Sequence, residues 1–284
     1  MKKILLIGRN GQVGRELQRT LAPLGEVMAM DRRALDLARP EAIRKAIHAV
    51  RPDIIVNAAA YTAVDQAESE PDLAMAINGL APGVMAEEAK KSGALLVHYS
   101  TDYVFDGSKA TPYTENDTPD PINAYGRSKL AGEQAIQGAA CRHLIFRTSW
   151  VYGRHGKNFL RTIQRLAKEK EQLSIVDDQI GAPTWSRMIA EATALALRGD
   201  PRNEQNSGLY HMTSSGQTSW HGFARAILDA QGWNGRLLPI PAKDYPLPAQ
   251  RPANSTLGND KLAAMFALAL PDWRQALLLC LEED

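Results

Sequence analysis

The first stretch of the chain constrains the fold more than any other. Lys3 to Ile7 is a short apolar run suited to a buried strand, and it leads directly through a glycine-rich turn into an amphipathic segment, 15–24. A strand, a glycine turn and a helix in this order put helix N-terminal amides where they can bind a pyrophosphate. The residues expected to contact a dinucleotide here are Gly8, Asn10, Gly11, Gln12 and Val13.

The spacing of the glycines leaves one alternative open. Gly8-x-x-Gly11-x-x-Gly14 departs from the usual Gly-x-Gly-x-x-Gly, although it stands in the required context between a first strand and a helix. A tight turn that only packs the helix on the strand would use the same residues.

The strand-helix alternation continues and predicts a parallel sheet. The predicted strands are 3–7, 26–30, 53–57, 94–100 and 144–148, and the predicted helices are 15–24, 40–50, 72–92 and a segment carrying Tyr125. Near-continuous apolar strands separated by helices are typical of a sheet covered on both faces. We therefore expect an α/β fold with a doubly wound parallel Rossmann sheet.

The regularity fades after Trp150. The elements predicted there are helices at 158–170, 187–197 and 219–230, strands at 173–176 and 209–212, and a Pro-rich loop at 239–252. This pattern predicts a dinucleotide-binding Rossmann domain at 1–150 and a smaller, interleaved α/β substrate lobe at 151–284. Segments at about 185–225 are expected to return to the Rossmann sheet.

Composition excludes several classes of partner. The chain has 33 basic and 32 acidic residues and a net charge of +1, so no field attracts nucleic acid or an anionic membrane. The two cysteines are widely spaced, which favours a reducing compartment, and no apolar run approaches the ~18 residues of a membrane helix. We expect a cytoplasmic protein. Its six histidines form no metal-binding pattern, so no metal ligand is predicted.

The end of the second predicted strand carries the carboxylate expected at a ribose. Asp31 lies 23 residues beyond Gly8, close to the ~20 expected for the acid that binds the ribose hydroxyls. Such an acid favours NADH, whereas Arg32 and Arg33 can pair with the 2′-phosphate of NADPH. A turn cap is the alternative role for Asp31.

Further cofactor contacts are expected from three segments. Asp36-Leu37 resembles a pair that flanks an adenine, and small residues in 57–62 allow a backbone to approach the cofactor closely, although ordinary packing also uses them. The contacts predicted from these segments and from the fourth strand are Asp36, Leu37, Ala58, Ala60, Tyr61, Thr62 and Tyr99.

Tyr125 and Lys129 are the candidate catalytic pair. Their spacing of four residues puts both on one face of a helix, where an ammonium can stabilise a phenolate. Thr101 lies just past the fourth predicted strand, at the edge where parallel sheets bind ligands. Alone, a Tyr-x-x-x-Lys pair is a weak signal, because such spacing usually marks a solvated helix face.

Six motifs together resemble the extended short-chain dehydrogenase/reductases over nearly the whole chain. They are Gly8 to Gly14, Asn57-Ala58-Ala59-Ala60-Tyr61-Thr62-Ala63-Val64-Asp65, Ser100-Thr101-Asp102-Tyr103-Val104-Phe105-Asp106-Gly107, Tyr125-Gly126-x-x-Lys129, Arg147-Thr148-Ser149-Trp150-Val151-Tyr152, and Gly181-Ala182-Pro183-Thr184. Within this superfamily the chain is most similar to enzymes that pass hydride from NAD(P)H to the C4 ketone of dTDP-4-dehydro-β-L-rhamnose. The implied product is dTDP-β-L-rhamnose, at the last step of dTDP-L-rhamnose biosynthesis.

The resemblance also implies roles for individual residues. Tyr125 would donate the proton, Lys129 would lower its pKa and bond the nicotinamide ribose, and Thr101 would orient the ketone. Asp102 and Trp150 would lie at the sugar, and Arg251 would lie near the diphosphate. Two departures from the family pattern affect the adenosine side: Tyr61 replaces a frequent histidine, and the segment 31–36 is short.

Two other functions are compatible with the same residues. An epimerase or dehydratase of the superfamily needs the same Tyr and Lys, but Tyr103 stands where a dehydratase would carry its second acid. A non-catalytic regulatory subunit is the other alternative, because a relative serves methionine adenosyltransferase in that way. The family also allows a homodimer bridged by a divalent metal such as Mg²⁺, for which the sequence has no recognisable signature.

Overall fold

A parallel sheet of six strands forms the centre of the computed structural model, which describes residues 1–198 and 206–282. The strands are β1 (Lys2–Ile7), β2 (Gly25–Met30), β3 (Ile54–Asn57), β4 (Leu95–Thr101), β5 (His143–Thr148), β6 (Val151–Tyr152), β7 (Gln172–Val176), β8 (Ile180–Gly181), β9 (Thr184–Trp185), β10 (Gly208–His211), β11 (Thr218–Ser219) and β12 (Arg236–Ile240). The helices are α1 (Gln12–Thr20), α2 (Pro40–Val50), α3 (Val64–Ala67), α4 (Pro71–Met75), α5 (Ala81–Ser92), α6 (Ala124–Gly138), α7 (Phe159–Glu169), α8 (Ser186–Ala196), α9 (Trp220–Ala230), α10 (Asp260–Phe266) and α11 (Trp273–Glu282).

The order of the large sheet is β2-β1-β3-β4-β5-β10, and every neighbouring pair is parallel. The predicted doubly wound α/β fold is therefore confirmed. Because β2 lies on one side of β1 and β3 on the other, the strand order reverses at β1. In such sheets ligands bind at the carboxyl edge beside this reversal.

Successive residues of β1 explain why helices cover both faces. Leu6 packs into a buried cluster with Leu17 of α1 and Ile189 of α8. Leu5 points to the other face and packs into a second cluster with Met85 of α5. Side chains alternate across a strand, so an uninterrupted apolar sequence requires an apolar layer on each side. Full burial of each such side chain contributes about 1.5–3 kcal/mol.

The second half of the chain contributes to both parts of the structure. Ile189 of α8 and Tyr210 of β10 belong to the core of the large sheet, whereas Phe223 of α9 lies in a separate cluster with residues of α7 and α11. The strands β7 and β12 form a small parallel sheet beside this second cluster. The boundaries 1–150 and 151–284 remain predictions, and residues 199–205 and 283–284 lie outside the described part of the chain.

The predicted helix at 72–92 is interrupted. A π-turn, Ala76–Leu80, separates α4 from α5, immediately before Pro82. Proline cannot donate to the residue four positions earlier, which here is Asn78. The backbone oxygen of Asn78 instead approaches α6 so closely that a Cβ at Gly132 would lie 2.2 Å from it. Asn78 Nδ2 also donates to Ser128 Oγ at 3.0 Å, so the irregularity expected at Pro82 places Asn78 against the helix that carries Tyr125.

Among residues 1–198 and 206–282, no helix is both long enough and apolar enough to cross a membrane.

Candidate active site

The glycine turn leaves backbone exposed at the carboxyl end of β1. Gly8 has φ +91°, and a Cβ there would lie 2.6 Å from the backbone nitrogen of Ala59. Gly11 caps α1 without any side-chain hydrogen bond, so the first amides of the helix have no side-chain partner. Gln12 is tied to the second half of the chain, because its Nε2 donates to the Val151 oxygen at 3.3 Å. Val13 packs at the border of the core.

Asp31 directly follows β2 beside this turn and makes the contacts of a cap. Its Oδ1 accepts hydrogen bonds from the amides of Arg33 and Ala34 at 3.0 and 3.1 Å, and its Oδ2 accepts one from Asn10 Nδ2 at 3.2 Å. The bond from the Ala34 amide is the main reason that the pKa of Asp31 is lowered. Its ribose-binding role remains a prediction.

The other predicted cofactor residues occupy varied environments. Leu37 is buried in the core, while Asp36 accepts a bond from the Ala38 amide at 3.1 Å. The Tyr61 hydroxyl donates to Glu70 at 2.8 Å. Ala58 and Ala60 are half-buried and Thr62 is exposed.

Tyr99 takes a different place from the other predicted contacts. Its hydroxyl shares a hydrogen bond with Thr193 Oγ1 at 2.7 Å inside the core, and its ring packs on Phe146. Its backbone oxygen, rather than its ring, therefore faces the catalytic side chains.

Tyr125 reaches Thr101 because two elements approach without a side chain between them. Asn123 caps α6 by accepting a hydrogen bond from the Gly126 amide at 2.7 Å. A Cβ at Gly126 would lie 2.1 Å from the Tyr103 oxygen, so only glycine lets α6 pack on the turn that follows Thr101. Tyr125 and Thr101 are consequently hydrogen-bonded.

Burial controls the protonation of this tyrosine. It raises the pKa of Tyr125 to about 12, and the hydrogen bond with Thr101 offsets part of that increase. The charge of Asp102 adds to the increase. The phenol therefore keeps its proton throughout the neutral range.

Lys129 lies one turn along α6 and is buried, with only 1% of its surface exposed. Its Nζ donates to the Tyr99 oxygen at 2.5 Å and lies 3.2 Å from His98 Nε2. Burial lowers the pKa of Lys129 to about 8, while the charge of Glu133 acts in the opposite direction. In this arrangement Lys129 Nζ is hydrogen-bonded to the backbone of β4. The effect of Lys129 on the pKa of Tyr125 and its hydrogen bond to a ribose remain predictions.

Asp102 follows Thr101 and is also buried. Its Oδ1 accepts from the Thr101 hydroxyl at 3.0 Å, Ser255 hydrogen-bonds the same carboxyl, and Oδ2 has no partner among the described residues. Burial raises the pKa of Asp102 to about 7. A substantial fraction of this carboxyl therefore carries a proton near neutrality, which makes it a hydrogen-bond donor beside the reacting groups.

Trp150 lies two residues beyond the end of β5. It has φ +45°, a conformation that non-glycine residues rarely adopt and that is frequent at functional sites. Its ring stacks on Trp220, with centroids 3.5 Å apart and planes at 2°. A Cβ at Gly181 would lie 2.3 Å from the same ring, so the indole is closely held.

Arg251 is paired within the protein. Its Nη1 and Nη2 each lie 2.7 Å from one carboxylate oxygen of Asp65, and it also bonds the Tyr103 side chain. This bidentate bond lowers the pKa of Asp65 and ties the Pro-rich loop to the start of α3. Its contact with a diphosphate remains a prediction.

The structure thus brings Thr101, Asp102, Tyr125 and Lys129 together, while Asp36 and Leu37 lie apart, beyond β2. Three contributing residues were not predicted as site residues: His98, Ser255 and Trp220. Ser255 and Trp220 carry no local motif, whereas His98 lies three residues before Thr101 on the same strand. Within residues 1–198 and 206–282, no group of three or more His, Cys, Asp or Glu side chains is arranged to hold a metal ion.

The sheet, the glycine turn and the Tyr-Lys helix are the features of an extended short-chain dehydrogenase/reductase. A family model described as the RmlD substrate binding domain matches residues 1–284, and the chain belongs to that family. A dTDP-4-dehydrorhamnose reductase of Burkholderia thailandensis is 52% identical over 99% of this chain and 98% of its own length. An Escherichia coli protein of the same name is 46% identical over 99% and 97%.

A solved structure gives the same relationship. The dTDP-4-dehydrorhamnose reductase of Bacillus anthracis in complex with NADP superimposes with a TM-score of 0.94 at 36% identity, covering 100% of this chain and 99% of the other.

Proposed function

We propose that this chain is an NAD(P)H-dependent oxidoreductase that reduces the C4 ketone of dTDP-4-dehydro-β-L-rhamnose to dTDP-β-L-rhamnose. The observation that carries the proposal is the meeting of Tyr125, Thr101 and Lys129 on the same sheet edge as the glycine turn. Relatives that carry the name of this activity over nearly their full length support the choice of substrate. They also favour catalysis over the regulatory-subunit alternative.

The residues of the glycine turn fit a dinucleotide. A Cβ at Gly8 would fill the space against Ala59, and α1 presents its first amides without a side-chain cap, as a pyrophosphate requires. When bound, the reduced nicotinamide supplies the hydride that goes to the ketone carbon. The Bacillus anthracis relative holds NADP. In this chain Arg32 and Arg33 would serve a 2′-phosphate, and Asp31 would serve the free ribose of NADH.

The protein's own groups manage the charge that develops on the ketone oxygen. Tyr125 donates the proton to that oxygen, and its raised pKa keeps the phenol protonated until then. Thr101 donates a hydrogen bond that orients the carbonyl, and Lys129 supplies the positive charge beside the resulting tyrosinate. Asp102 and Trp150 would hold the sugar, and Arg251 would lie near the diphosphate.

An absorbance assay tests the proposal directly. The purified protein is mixed with NADH or NADPH and a panel of dTDP-4-keto-sugars, and loss of the reduced cofactor is followed. We expect oxidation with dTDP-4-dehydro-β-L-rhamnose and formation of dTDP-β-L-rhamnose by chromatography. Absence of oxidation with every sugar, or isomerisation without net oxidation, would overturn the assignment.

Three expectations about context belong to the same proposal. A cytoplasmic location is supported by Cys141 and Cys280, which are both free and buried. The homodimer, with or without a divalent cation such as Mg²⁺, is tested by light scattering with and without a chelator. Neither nucleic acid nor a membrane is expected as a partner.

A further inference from the structure

The side chain of His98 links Asn57, at the end of β3, to Lys129. It lies on β4 in register with Asn57 of β3, and its side chain is completely buried. Its Nδ1 lies 3.1 Å from Asn57 Nδ2, and its Nε2 lies 3.2 Å from Lys129 Nζ. The two nitrogens of one ring thus contact an amide on one side and an amine on the other.

The backbone fixes the direction of the first hydrogen bond. The amide nitrogen of Ala59 lies 3.2 Å from Asn57 Oδ1. A backbone N–H only donates, so the Asn57 oxygen must face Ala59 and the Asn57 NH₂ group must face His98. Asn57 therefore donates to Nδ1 of His98, which must carry a lone pair.

The protonation of His98 then follows. Burial in the sheet lowers the pKa of His98 well below its usual value, and the positive charge of Lys129 lowers it further, so the ring is neutral. A neutral ring with a lone pair on Nδ1 carries its proton on Nε2. That N–H points at Lys129 Nζ. An ammonium has no lone pair to accept it, whereas the free amine accepts it and still donates to the Tyr99 oxygen.

We propose that Asn57 and His98 form a donor chain that favours the uncharged amine of Lys129 while no cofactor is bound. His98 is thus a positioning residue, which acts on the reaction through Lys129. The inference rests on the proposed function, because Lys129 must be a cation to stabilise the tyrosinate formed at Tyr125. Lys129 would regain a proton when ribose hydroxyls offer it acceptors, so cofactor binding would be coupled to proton uptake.

The carboxyl groups of Glu133 and Asp102 do not act as free anions beside Lys129. Glu133 lies one turn further along α6, and its carboxylate is held by Arg147 of β5, with N–O distances of 2.9 and 2.6 Å. The Asn78 amide of the π-turn is bonded to Ser128 at 3.0 Å. Asp102 lies in the turn packed against α6; its pKa of about 7 leaves it partly protonated and its Oδ1 accepts from Thr101, while Tyr125 is neutral.

The first test reads the tautomer of His98. Protein labelled with ¹⁵N-histidine is studied without cofactor by long-range ¹H–¹⁵N correlation at about pH 9, above the Lys129 pKa of about 8, and the resonance is assigned by its loss in His98→Gln. We expect the proton on Nε2. A proton on Nδ1 in the wild type would overturn the inference, even if reductase activity is normal. Activity failing while Nε2 carries the proton would instead count against the proposed function.

The isosteric change Asn57→Asp should reverse the direction of the hydrogen bonds in the donor chain. In Asn57→Asp both oxygens accept, one from the Ala59 amide and one from His98, so the histidine proton should move to Nδ1 and Nε2 should accept from the Lys129 ammonium. His211→Gln is the matched control, because His211 is equally buried but bonds Gly258. It should leave the His98 tautomer unchanged. If His98 keeps its proton on Nε2 in Asn57→Asp, the proposed donor chain from Asn57 through His98 is wrong.

The second test measures the proton itself. NADPH binding is followed by calorimetry at about pH 8 in two buffers of different ionisation enthalpy. We expect uptake of about half a proton in the wild type and little in Lys129→Met. In His98→Gln the new amide can turn its oxygen to the ammonium, so uptake should fall severalfold, and the alkaline limb of kcat/KM should move up by about one pH unit. Equal uptake in wild type and His98→Gln would refute the role of His98.

Discussion

Replacing Tyr125 by phenylalanine isolates the proton donor from its structural role. The ring keeps its burial and its edge contact with Tyr103, whose centroid lies 5.9 Å away. The hydrogen bond that is lost joins Thr101, and that hydroxyl retains Asp102 and the Tyr103 amide as partners. We therefore expect Tyr125→Phe to change the free energy of unfolding by about 1 kcal/mol or less.

The effect on turnover should be far larger. A positioned general acid contributes about 10²–10⁴-fold, which corresponds to roughly 3–5.5 kcal/mol in the barrier. Because burial raises the pKa of Tyr125 to about 12, the wild-type donor stays protonated from pH 6 to about 9 and its own titration gives no limb in that range. The loss in Tyr125→Phe should therefore be nearly constant at pH values below the Lys129 pKa of about 8.

The assay combines turnover with cofactor binding. Loss of reduced cofactor absorbance gives kcat with dTDP-4-dehydro-β-L-rhamnose, and calorimetry gives the Kd for NADPH, which we expect to stay within a fewfold. Tyr152→Phe serves as a control, since Tyr152 is buried and its hydroxyl has no partner in the described part of the chain. A kcat for Tyr125→Phe within tenfold of the wild type would refute the proton-donor role.

Three further changes test the surroundings. Gly8→Ala should weaken NADPH binding by about tenfold or more in calorimetry, because φ is +91° and the new Cβ would lie 2.6 Å from backbone, whereas Gly138→Ala, with open space around it, should not. Glu133→Gln leaves Arg147 buried without a charged partner and should cost about 3–5 kcal/mol in urea unfolding; a loss below 1 kcal/mol would contradict the burial argument. The pKa of Glu88 is lowered from 4.5 to about 2, chiefly by Lys91, so the stability it contributes is present above pH 4.5 and is lost as the pH falls toward 2. The difference in unfolding midpoint between wild type and Glu88→Gln should close over that range, and a difference that persists at pH 2 would contradict the ion-pair origin.

The sequence predicted the sheet well because burial on both faces leaves a plain signal. The strands expected at 3–7, 26–30 and 144–148 differ by one residue from those observed. Helix ends were predicted less accurately than strands. The helix expected at 15–24 is α1, Gln12–Thr20, and it begins earlier because the backbone of the glycine turn continues directly into the first helical turn. The strand order could not be read locally, because it depends on which crossover each helix makes.

The site residues that belong to a sequence motif could be predicted. Those that reach the site only through the pairing register of the strands could not. Tyr125, Lys129 and Thr101 follow from spacing and strand ends. No motif in the sequence singled out His98, and its role appears only because parallel pairing sets it beside Asn57 and its Nε2 lies 3.2 Å from Lys129 Nζ. Arg251 shows the converse, because its pairing with Asp65 joins residues 186 positions apart and no sequence pattern announces it.

Burial gives the site one common electrostatic property. It raises the pKa of Tyr125 to about 12, raises that of Asp102 to about 7 and lowers that of Lys129 to about 8, so each shift favours the uncharged form. Near neutrality Asp102 and Lys129 are therefore less completely ionised than they would be in water, so the site holds less charge of its own before substrate arrives. The negative charge that develops on the ketone oxygen would then be the strongest field in the pocket, and it would raise the affinity of Lys129 for a proton at the moment when Tyr125 loses one. The same desolvation that makes each group a weak ion at rest therefore makes the pair responsive to the reaction.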